Sequence, residues 1–403
     1  MRYSKIYALL LAAMVTAGSV STATAQSGPT VHGNVYGGGN AADVGADATV
    51  NITGGQIGGS TVNAEHGNVF GGGKGQNTTV KGDVSVNIGK APEGSVTTYT
   101  GTGIVKGSVY GGSALGYVNA NTTKGTDGTV TAHTANTDKT TQVNVFKGTV
   151  KENVYGGGRG DADNSIAAMS ASAVTVTIGA NATEATPTID GSVYGGSDAN
   201  GILESDVTLH ILNGTIGKAG EGTSFTGGNV YGGGLGLPTL VQGSVTVNIG
   251  AADTTPTGTA NILGDVYGGS AKGKVNATKG GTAENPTYSN PNSKTTQVNL
   301  HSNTGVRNVY GGGHGLDGAS ADVYGDVEVN IGATDGASTP TYTGNATING
   351  SVFGCNNANG SPQGDVTVNV YKTAQTEKDA ATYTASDATY AIDQLFGGGN
   401  EAN

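Results

Sequence analysis

Tryptophan is absent from the 403 residues, cysteine occurs once, and methionine and arginine three times each. A single cysteine, Cys355, excludes an intrachain disulfide, so packing and backbone ladders must hold the fold. The scarcity of aromatic and sulfur side chains argues against a large globular enzyme with an aromatic, methionine-rich core. Charged residues make up 12% and apolar residues 35%, which is not the composition of a highly charged disordered chain. Proline numbers 9 against 73 glycines, and the glycines follow no three-residue period, which excludes collagen. The one long apolar run, Ile6 to Val15, is shorter than the ~20 residues that span a bilayer.

That run sits behind Arg2 and Lys5 and ahead of Ala23-Thr24-Ala25, the layout of a secretory signal peptide cleaved near Ala25. The expectation is a signal over 1–25 and a repeat domain over 26–403, secreted or on a bacterial cell surface. No cysteine lies near the cleavage point, so it is not a lipoprotein signal. The mature chain keeps 17 Lys and Arg against 30 acids, a net charge of −13 with His neutral. Such an acidic, arginine-poor chain is a poor partner for nucleic acid or anionic membrane.

What fills the chain is a repeat. A motif resembling G-x-V-[Y/F]-G-G-[G/S] recurs ten times, with its aromatic at Tyr36, Phe70, Tyr110, Tyr155, Tyr194, Tyr231, Tyr267, Tyr310, Phe353 and Phe396. Successive copies lie 34 to 45 residues apart. Between them runs V-x-V-N-I or a relative, as at Val84 to Ile88 and Val245 to Ile249, the alternation of a half-buried strand. A weaker element such as Ile189-Asp190-Gly191 leads into the next aromatic motif. From Phe70 onward GGG endings alternate with GGS or GCN endings, and Lys139 to Val145 (KTTQVNV) nearly repeats as Lys294 to Leu300 (KTTQVNL). The chain reads as duplications of a two-repeat block.

Two or three short strands per unit, without helical apolar spacing, predict an all-β fold whose units stack because none can bury a core alone. The expected architecture is a right-handed parallel β-helix or β-solenoid of about ten repeats. The alternative is a β-propeller, for which ~40 residues per blade would also serve. With one rung per repeat and protruding loops, ten rungs make a rod of roughly 45–50 Å. Glycines flanking the aromatic are expected to supply positive φ at corners and close approach between rungs. Val and Tyr of V-Y-G-G face opposite sides of their strand. The aromatics therefore form either a structural ladder or an outward stacking platform for sugars.

Candidate chemistry is sparse. Asp83, Asp206, Asp326 and Asp365 precede strand valines, and Asp265 precedes an aromatic motif, a recurrence that suits turn capping better than a catalytic cluster. Asp161 to Ser165 begins like a calcium loop, but Ile166 stands where glycine belongs. Calcium is the one cofactor left open, and no catalytic, cofactor-binding or metal residue is assigned. Arg159-Gly160-Asp161 spells the integrin tripeptide, though its first two residues fill the ordinary G-G-G-x-G slot. His32, His66, His133, His210, His301 and His314 are scattered without zinc spacing. The longest insertions, Ala114 to Lys139 and Ala271 to Lys294, are the natural place for recognition on a rigid rod.

Signal, tandem V-Y-G-G and V-x-V-N-I units and low charge together resemble bacterial surface β-helix repeat proteins. Adhesin-like proteins, autotransporter passengers and filamentous-haemagglutinin relatives are of this kind. The resemblance implies a non-enzymatic, adhesin-like rod that binds glycans or host-surface proteins through side loops. The alternatives are a β-helical polysaccharide lyase or hydrolase, and a self-associating surface scaffold. The last motif ends near the C-terminus without a recognisable cap, so end-to-end self-association is a further expectation.

Overall fold

A computed structural model describes residues 28–59, 66–221, 224–252, 256–282, 285–302, 305–373 and 392–400. The signal segment 1–25 lies outside them. The chain winds as a parallel β-solenoid with one coil per repeat. Each full coil runs through four strands, as in Thr149–Val150, Val154–Tyr155, Ala168–Ser170 and Val174–Ile178. Stacked coils build parallel sheets of seven, ten, six and nine strands. The ten-stranded sheet holds all ten aromatic motifs. Identical positions meet across it: Val154 lies between Val109 and Val193, and Tyr155 between Tyr110 and Tyr194.

Sequence reasoning had found three of these four strands. The missing one is the short strand between the aromatic motif and V-x-V-N-I, such as Thr79–Val80, Gly201–Leu203 or Leu240–Val241. Two or three residues of mixed type carry no alternation to detect. Register with the neighbouring coil, rather than local propensity, makes them strands.

The core is narrow and aliphatic. In Val174–Ile178 the first, third and fifth residues are buried and the others half-buried. These positions join Val154, Ile189, Leu203 and their counterparts in one continuous Val/Ile/Leu column. The aromatics point the other way, into a second, separate cluster.

Glycine has two distinct duties. The residue after V-x-V-N-I turns the corner at positive φ: Gly89 (+79°), Gly179 (+70°), Gly250 (+77°) and Gly332 (+76°). The glycine after each aromatic has no such φ, contrary to the expectation for those corners. Wherever another coil stacks above, from Gly71 to Gly354, it is required because a Cβ there would strike backbone and core at once. At Gly156 the obstacles are the Gly195 carbonyl and the side chains of Val174 and Val176.

The alternation of GGG and GGS also has a cause. Ser113 Oγ accepts the Gly73 N–H of the preceding coil, Ser270 Oγ accepts that of Gly234, and Asn356 Oδ1 accepts that of Gly313. The serine fits because a bare glycine lies beneath it: a Cβ on Gly72, Gly157 or Gly233 would collide with the serine hydroxyl above. Ser197 Oγ, in the remaining pair, makes no such bond, so three of the four pairs are coupled this way.

Candidate functional site

Ten rings, Tyr36 through Phe396, stack in one unbroken column with neighbouring centroids 4.5–5.0 Å apart and planes within 11°. From Phe70 to Phe353 each is buried. The residue four places after an aromatic folds over the column; Ala114, Leu235 and Ala271 pack on it, and His314 stacks on Tyr267 at 4.9 Å. Hydroxyl ends are tied two coils along: Tyr110 to Asp198 (3.0 Å), Tyr231 to His314 (3.0 Å), and Tyr267 to the Asn357 amide (3.1 Å). Buried rings offer no platform for sugars. Burial also pushes the phenols of Tyr110, Tyr155, Tyr194, Tyr231 and Tyr267 far above their ordinary ionisation range.

Beside the column runs a polar ladder at the residue two before each aromatic. Asn68 Oδ1 accepts the Ser108 N–H at 2.8 Å, Ser108 Oγ that of Asn153 at 3.2 Å, and Asn153 Oδ1 that of Ser192 at 2.8 Å. Asp265 occupies this slot with its side chain only 4% exposed, and Arg307 of the next coil neutralises it through Nε (2.7 Å) and Nη2 (2.6 Å). The recurring strand aspartates act similarly: Asp83, Asp206 and Asp326 accept the N–H groups of Thr140, Ser244 and Asp365 at 2.8–2.9 Å. These acids serve the backbone.

The remaining candidates do not converge. Asp161 is closed on Asn164 through the backbone N–H and side-chain amide. Arg159 pairs with Asp198 at 3.7 Å, away from the tripeptide it opens. Burial lowers the pKa of His210, His301 and His314. Among the described residues no group of three or more His, Cys, Asp or Glu could hold a metal ion, and no helix is long and apolar enough to cross a membrane.

Both long insertions are hairpins laid against the rod. Ala120–Lys124 pairs antiparallel with Val130–Ala135, and Thr278–Gly281 with Pro286–Ser289. The first is fastened by Lys124 to Asp43 (2.7 Å), Thr122 to Thr79 (2.8 Å) and His133 to Glu204 (2.9 Å). At each base stands one fully buried asparagine with positive φ, Asn119 (55°) or Asn276 (57°). Asn119 donates to the carbonyls of Gly82 and Thr140 and accepts from Thr141 Oγ1; Asn276 does the same with Gly243, Thr295 and Thr296. This shared clamp is why KTTQV occurs twice.

One open groove stands out, on the outer face of the nine-stranded sheet. Its volume is about 440 Å³, within the range of small-ligand sites. Its lining includes Asn51 and Asn87 of the sheet, Lys90, Pro92 and Glu93 of the loop after Val84–Ile88 that walls it, and Phe146. The wall loop is held as a hairpin by bridges between Lys90 and Thr100 and between Glu93 and Val96. Tyr99 leans on Phe146 with centroids 5.4 Å apart. Asn87 Nδ2 donates to Asn51 Oδ1, and Asn144 Nδ2 to Asn87 Oδ1, both at 2.9 Å. One lone pair and one N–H per amide suffice for this ladder, so Asn87 keeps a donor and an acceptor beyond it. Lys90 and Glu93 pair at 3.2 Å.

Sequence reasoning missed this groove. Phe146 lies one residue beyond its strand, and the fourth residue of V-x-V-N-I passed as strand consensus. The repeated asparagine was the available signal: a polar residue kept at one outward position of successive coils. No family model, curated protein or solved structure matches the chain.

Proposed function

We propose that the chain is a secreted or surface-displayed rod, adhesin-like and non-enzymatic, that holds a glycan in the groove beside Phe146. The observation that carries this reading is the conjunction of a half-exposed aromatic ring with amides that retain free donors and acceptors. Sugars present the complementary surfaces, an apolar C–H face and a rim of hydroxyls. The solenoid supplies rigidity, so the groove needs no ordering on binding.

The test is a glycan array probed with the mature protein and with Phe146→Ala, alongside a polysaccharide depolymerisation assay. Retention that depends on Phe146 and proceeds without turnover supports the reading. Turnover overturns it in favour of a polysaccharide-degrading enzyme, and no retention at all favours the scaffold.

A further inference from the structure

We infer that the ligand of this groove is an uncharged linear polysaccharide whose chain runs along the rod axis, over Asn51, Asn87 and Asn144. This rests on the glycan-binding reading above and adds the class and direction of the ligand.

Charge comes first. The groove's two charged lining residues, Lys90 and Glu93, are of opposite sign and pair with each other, so its lining carries no net charge with which to select a carboxylate or sulfate. The mature chain's net charge of −13 repels polyanions at longer range. A neutral chain meets neither obstacle.

Direction follows from the amides. They recur once per coil, about 4.8 Å apart along the axis. Each is oriented by the amide before it, since Asn144 donates to Asn87 and Asn87 to Asn51. A single sugar can engage only one or two rungs of this ladder. A chain lying along the axis engages all three and still places a ring face on Phe146. Binding energy therefore accumulates with chain length until the three rungs are covered.

The test is calorimetry of the mature protein with β-linked glucose oligomers and N-acetylglucosamine oligomers, each from monomer to hexamer, and with galacturonate oligomers. At least one neutral series binds, with affinity rising about tenfold or more from dimer to hexamer and unaffected by salt. Asn87→Leu and Phe146→Ala each weaken hexamer binding about tenfold or more while the far-ultraviolet β signal is retained at the assay temperature. Should either variant unfold, Pro92→Trp, at an exposed loop position, fills the groove and must abolish binding.

Preference for galacturonate, or loss of binding in high salt, overturns the uncharged class while leaving glycan binding intact. A monomer that binds as tightly as the hexamer overturns the axial chain. Absence of binding by every oligomer, or binding that survives both Phe146→Ala and Pro92→Trp, overturns the groove reading and this inference with it.

Discussion

Raising the pH above 10 should unfold this rod abruptly, and the aromatic column says how steeply. Burial holds Tyr110, Tyr155, Tyr194, Tyr231 and Tyr267 protonated far beyond the ordinary phenol range. In the unfolded chain the same hydroxyls ionise near pH 10. The unfolded state thus sheds protons that the native state keeps. Stability from this source is complete below pH 10 and declines as pH rises through it. Each tyrosine contributes a slope of about 1.4 kcal/mol per pH unit, so five contribute about 7 kcal/mol per unit. Against a typical total of roughly 5–15 kcal/mol, one to two units above pH 10 suffice.

The assay follows phenolate absorbance and far-ultraviolet circular dichroism in one alkaline titration. Exposed tyrosines ionise first; the column phenolates then appear in a sharp step that coincides with loss of the β signal. Tyr155→Phe combined with Tyr194→Phe removes two of the five ionisations and moves that step to higher pH. Phenolates that all titrate smoothly near pH 10 with the β signal intact would refute the burial argument.

Three further outcomes are expected. Gly157→Ala drives a Cβ into Ser197 and Leu203 and costs about 1–3 kcal/mol in urea unfolding; adding Ser197→Gly restores part of it, and no restoration would place the clash elsewhere. Asn276→Ala removes three buried hydrogen bonds and leaves alanine at positive φ, costing about 3 kcal/mol, and limited proteolysis should then cut within Thr278–Gly281 or Pro286–Ser289; an unchanged digestion pattern refutes the clamp. His210, His301 and His314 have depressed pKa values, so the unfolded chain binds protons first as pH falls below about 6.5. The urea midpoint should drop between about pH 7 and pH 5, and a flat or rising midpoint counts against their burial.

The parts of the fold that show in the sequence are those where one residue type is demanded coil after coil. Val84 to Ile88 must alternate because one face meets the core, and Gly156 must be bare because carbonyl and valines crowd it. Thr79–Val80 and Leu240–Val241 escaped because their strand character comes from the neighbouring coil. The orientation of the rings was ambiguous for a related reason. Strand alternation separates Val154 from Tyr155, but only the return of the chain over the column, through Ala114 or His314, makes both buried. The groove depends on a loop after one strand approaching a ring after the next, a juxtaposition set by the winding.

The pairing of GGG with GGS coils has a consequence for how such a rod can change length. Copying or deleting one coil in the alternating stretch would set like endings against each other, as Gly39 and Gly73 stand in the first two coils, and a GGG ending so placed loses the serine or asparagine that accepts its glycine N–H. Copying two coils keeps the alternation. Recombination in this gene should then be tolerated in steps of about 10 Å, two strand spacings at a time. Natural length variants and engineered rods alike would favour gains and losses of coils in twos.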